Sequence, residues 1–120
     1  MNTATDVTTR LIEIYGEEPI EPAGVIHVTA VWENADGELR VLRICDRTPP
    51  SATDAFVLGV ARARSDVIVT TGASLRAEPG LHHSLDGRRR PGNALAAWRR
   101  ETMGRSDPPS SCVLTASGQI

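Results

Sequence analysis

The residues best suited to chemistry fall mainly between positions 51 and 81, SATDAFVLGVARARSDVIVTTGASLRAEPGL. Read physically, this stretch is a helix, a strand, a glycine-containing loop and the start of a second helix. In open parallel sheets, ligands gather beyond the carboxyl ends of strands. A loop at that point presents backbone amides at a helix start, which suit a phosphate. Gly72 lets the chain approach a ligand closely. Ser74 adds a hydroxyl, and Glu78 adds a carboxylate that can take a ribose hydroxyl. The same letters describe a strand-to-helix turn in any α/β domain. Pattern alone therefore leaves a ligand role and a purely structural role both open.

Other chemistry-bearing residues are weaker candidates. His82 and His83 are adjacent, and His27 lies far away in sequence. Adjacent histidines point apart, and no acid or cysteine stands at ligand spacing, which argues against a metal site. Arg88, Arg89 and Arg90, with Arg99, Arg100 and Arg105, make a basic zone. Only Trp98 interleaves with it and the net charge is −2, so a solvated loop and helix face is favoured over nucleic acid. No Ser-His-Asp or Cys-His grouping has supporting context. Every basic side chain is Arg, so no lysine is present to form a Schiff base or donate a proton. Cys45 and Cys112 are too few for a disulfide framework or a four-cysteine zinc cage. The expectation for both is a buried thiol in a reducing cytoplasm.

These groups need elements to hold them. Val7, Leu11, Ile14 and Tyr15 recur at helical spacing, which predicts a short amphipathic helix over 6–15. Gly16, Pro19 and Pro22 end it, and residues 1–23 read as an N-terminal helical extension. Residues 24–32 are β-branched and predict a strand. Residues 38–45 predict a second, and Asn34-Ala-Asp-Gly37 is the turn of a hairpin between them. Ser51-Ala-Thr-Asp54 has the capping-box form. It opens a helix over 54–64 on which Phe56, Val60 and Ala63 share a face. Val67 to Thr71 is a continuous strand of the kind buried on both faces of a parallel sheet. A short helix follows from Gly72 until Pro79-Gly80. Residues 82–92 read as a polar loop, 93–103 as a helix carrying Leu95, Trp98 and Met103, and Cys112 to Thr115 as a last strand. Strands alternating with helices predict α/β with a largely parallel sheet.

Length and charge set the outer bounds. A chain of 120 residues, 40% hydrophobic and 23% charged, is globular in composition and about one domain long. No apolar run approaches the ~20 residues of a membrane span, and the polar start resembles no signal peptide. Charge is uneven. Residues 1–60 carry four Arg and ten acids, whereas residues 61–120 carry nine Arg and five acids.

Arg62-Ala-Arg-Ser-Asp-Val-Ile-Val69, followed by Thr71-Gly-Ala-Ser-Leu-Arg-Ala-Glu-Pro79, resembles the reductase domain of the riboflavin-pathway pyrimidine deaminase-reductase. That domain has the dihydrofolate-reductase-like fold. The family pattern runs from a helix ending in Leu-Arg-Ala into a Ser-Asp-Ala-Ile-like strand. A Gly-Ala-Gly-Thr-like turn and an acid before proline come next. The likeness is clear over 51–81, weaker over 93–118 and only in outline before residue 50. It implies a mostly parallel sheet with flanking helices, formed by residues 24–120 as a partial domain incomplete at its C-terminus. By position, the resemblance gives Arg62 to the phosphorylated sugar of the substrate, where a guanidinium fork suits phosphate. It gives Leu81 to the substrate pocket, and Gly72, Ser74 and Glu78 to the NADPH side. An ion pair at the helix end, a helix cap, a solvated acid and loop packing are the corresponding structural roles.

Two departures stand beside this likeness. The family's Ser-Leu-Asp-Gly-Lys-like segment has only Ala35-Asp-Gly-Glu38 in its place, without the Ser and the Lys. Ser84-Leu-Asp-Gly-Arg88 carries similar letters, but after the strand–helix unit, and is a coincidence. The family's later Glu-Gly-Gly loop and final strands have no counterpart before Ile120. The leading expectation is NADPH-dependent reduction of a phosphoribosylamino-pyrimidine, with no catalytic proton donor identified. The rival is a truncated or degenerate relative that binds a partner, as a homo-oligomer or with a complementing C-terminal segment, through strand edges left open.

Overall fold

The computed structural model describes residues 3–18, 24, 26, 31–41, 51–77 and 94–118. Among these, four helices and four strands follow one another. They are α1 (Ala4–Tyr15), β1 (Val31–Glu33), β2 (Leu39–Val41), α2 (Ala52–Arg64), β3 (Val67–Thr71), α3 (Gly72–Ala77), α4 (Ala94–Met103) and β4 (Ser110–Leu114). No described helix is long and apolar enough to cross a membrane.

The helix α1 begins two residues earlier than its periodicity predicts, because its cap lies at Thr3. The Thr3 hydroxyl accepts from the Asp6 amide at 3.1 Å, and the Asp6 carboxylate accepts from the Thr3 amide at 3.0 Å. This reciprocal pair satisfies two backbone donors at the helix start. Gly16 ends the helix with φ 81, its amide donating to the Ile12 carbonyl at 2.8 Å. Such a left-handed cap favours glycine.

The core is helical. Ala4, Val7 and Leu11 of α1 meet Phe56, Val60 and Ala63 of α2 and Ala94, Leu95 and Trp98 of α4. The predicted α2 face is thus the buried one. The first helix, read in sequence as part of an extension, buries its apolar side in this same cluster. Trp98 is fully buried, and its indole N–H donates to Glu18 at 3.2 Å. Glu18 also accepts from the Thr8 hydroxyl, so one carboxylate just after α1 ties the middle of that helix to α4.

The strands form two separate pairs. β1 and β2 are antiparallel, with Glu33 opposite Leu39 and Val31 opposite Val41. Their turn is organised by Asn34, whose side-chain oxygen accepts from the amides of Asp36 and Glu38 at 3.0 Å each. Gly37 takes φ 79 there. The rest of the two predicted strands, 25–30 and 42–45 apart from Ile26, lies outside the described residues. β3 and β4 are parallel, with Val67 opposite Ser110 and Thr71 opposite Leu114. The described residues are therefore mixed α/β, with flanking helices and one parallel strand pair among them.

Two burial expectations are corrected. β3 is not enclosed on both faces: Val67 is 51% and Val69 57% exposed, while Ile68 and Thr70 are half-buried. Exposed and half-buried residues alternate along β3, so one face of the strand lacks the cover that an interior strand receives. Cys112 is likewise exposed rather than buried, because the register sets it beside Val69. Cys45 lies outside the described residues.

Candidate functional site

β3 runs into α3 without a connecting loop. Thr71 closes the strand, and Gly72 opens the helix. The Thr71 hydroxyl accepts from the Ser74 amide at 3.1 Å and donates to the Ser74 hydroxyl oxygen at 3.0 Å. Thr71 is thus the capping residue, and Ser74 stands three places into the cap. The Ser74 hydroxyl is thus held beside the Thr71 hydroxyl at the end of the strand. Ser74 and Ala73 are exposed, whereas Gly72 is buried. A hydroxyl on an exposed turn suits an anionic oxygen.

The parallel register places a second segment alongside. Thr71 lies opposite Leu114, so the chain leaving β4 through Thr115, Ala116, Ser117 and Gly118 emerges at the same end of the sheet. All four residues are exposed, and Gly118 takes φ 76. Three hydroxyl residues, Ser74, Thr115 and Ser117, therefore belong to one rim at the strands' carboxyl ends. This is the position at which parallel sheets take ligands.

Arg62 sits elsewhere. It lies in the last turn of α2, half-buried, and burial lowers its proton affinity below that of a free guanidinium. α2 leads into the amino end of β3, while Gly72 and Ser74 leave its carboxyl end. The strand between spans about 13 Å, from four rises of ~3.3 Å. The structure thus groups Gly72 with Ser74 and sets Arg62 at the opposite end of the strand. Glu78 and Leu81 lie outside the described residues, as do His27, His82, His83 and Arg88 to Arg90.

Arg99 lies at the same end of β3 as Arg62 and holds a defined set of partners. Arg99 is only 5% exposed. Its guanidinium donates to the carbonyls of Ala63 at 2.8 Å, Ser65 at 2.7 Å and Asp107 at 2.8 Å. Burial lowers its proton affinity, and the Asp107 carboxylate partly restores it. Two neighbouring bonds complete the α2 end. The Ser65 hydroxyl donates to the Ala61 carbonyl at 2.7 Å, and the Ser65 amide donates to that of Arg62 at 3.1 Å. Carbonyls left over at a helix end need such donors. Arg105 pairs with Asp66, and the Asp66 carbonyl accepts from the Ser110 amide at 2.9 Å, which locks the start of β4 to the α2–β3 junction.

Thr71 and the Thr115–Ser117 segment were not singled out by sequence reasoning. For Thr71 a signal existed, the hydroxyl three residues ahead of Ser74 at a strand-to-helix boundary. For the second segment the signal is the parallel register, which no local pattern carries. Arg99 was read as part of a solvated basic face, and its burial between α2 and the residue 107 turn overturns that reading at this position.

Compared with protein-family models, curated proteins and solved structures, the chain matches none of them.

Proposed function

We propose that the rim at the carboxyl ends of β3 and β4 binds a phosphate-bearing small molecule. In its finer form the proposal follows the sequence resemblance: the ligand is NADPH, and the chain is a reductase domain acting on a phosphoribosylamino-pyrimidine. The observation that carries the coarser reading is the exposed Ser74 hydroxyl, held beside Thr71 at the carboxyl end of β3. The Ser74 amide is already bonded to Thr71 and Gly72 is buried, so the contact to the ligand falls to the Ser74 side chain. NADPH, when bound, supplies the hydride for reduction of a sugar imine. The chain's own contribution is to bind and orient. Ser74 donates to a phosphate oxygen, and the Thr115–Ser117 segment borders the same ligand. Arg62 lies about a strand's length away and takes the substrate's phosphate rather than the cofactor's. Loss of reduced-nicotinamide absorbance with the phosphorylated pyrimidine tests the finer reading. Arg62→Ala is expected to raise KM for the substrate more than tenfold and to leave NADPH affinity unchanged. Equal loss of both would remove Arg62 from the role.

A second reading, a non-enzymatic partner-binding domain, is favoured by a specific surface. The face of the parallel pair formed by Val67, Val69, Thr71, Ser110, Cys112 and Leu114 is exposed and carries no charge. Parallel sheets are normally covered on both faces. Self-association is the expected outcome on this reading, and light scattering measures it. A monodisperse monomer at high protein concentration argues against it.

A further inference from the structure

We draw no further inference here: the strongest candidate, the uncharged face of the β3–β4 pair carrying Val67, Val69, Cys112 and Leu114, already serves the second functional reading, and nothing in the structure shows what covers it.

Discussion

Arg99 illustrates how one side chain can hold several segments in place. Its planar fork reaches carbonyls at the end of α2, after it, and in the turn before β4. Removing it leaves acceptors inside the protein without their donor, and charged hydrogen bonds of this kind are each worth more than neutral ones. Arg99→Ala is expected to lower stability by about 3 kcal/mol in urea unfolding. Arg99→Lys should recover only part of that, because a single ammonium cannot reproduce the fork. A loss below 0.5 kcal/mol for the alanine variant, the range of an ordinary surface substitution, would mean that water replaces the guanidinium easily. Gly16 is a second residue-scale case. Its φ of 81 is costly for any side chain, although open space surrounds it. Gly16→Ala should cost about 1 kcal/mol through backbone strain alone, and an unchanged unfolding midpoint would contradict that cap geometry.

At the scale of elements, the helices were the legible part of the sequence. Val7 and Leu11, and Phe56, Val60 and Ala63, lie on faces that periodicity exposes directly, and these are buried. The caps were partly legible. Ser51 accepts from the Asp54 amide as the motif implies, whereas Thr3 and Asp6 make a complete box that the reading of 6–15 passed over. Strand burial was not legible. Val67 to Thr71 is an apolar run suited to an interior, but its cover depends on neighbours distant in sequence. Arg99 fails for the same reason: a charge in a basic stretch reads as solvated until the fold sets carbonyls around it. The candidate site divides in the same way. Gly72 and Ser74 were found from local turn chemistry, while Thr115 and Ser117 enter only through the β3–β4 register. An element-scale prediction follows for the turn. Thr71→Val removes the cap on α3 and should destabilise by about 1 kcal/mol. It also frees the Ser74 hydroxyl to rotate, so phosphate-ligand affinity should fall several-fold. Unchanged affinity in a folded Thr71→Val protein would show that Thr71 does not orient Ser74 for binding.

For the molecule as a whole, α4 is the organising element. It packs on α1 and α2 through Ala94, Leu95 and Trp98, and it sends Arg99 and the following turn to the α2–β3 junction. The helical core and the parallel pair are therefore coupled through the same helix. Fully burying Trp98 also provides an intrinsic probe of that coupling. With Trp32→Phe leaving Trp98 as the single tryptophan, its emission should shift to the red in the same urea transition that melts the helices. Separate transitions would show that the Glu18 and Trp98 contact is not part of the cooperative unit.

The central claim is that the carboxyl-end rim takes a phosphate-bearing ligand, with NADPH as the specific case. Calorimetric titration of the chain with NADPH, alongside Ser74→Asp, tests it most directly. Aspartate is tolerated in a first helical turn, so the variant keeps the fold while placing a negative charge where the phosphate would lie. The expected result is binding tighter than about 1 mM, or roughly −4 kcal/mol, with a loss of at least tenfold in the variant. Absence of heat at millimolar NADPH, or equal affinity in a folded Ser74→Asp protein, would contradict it.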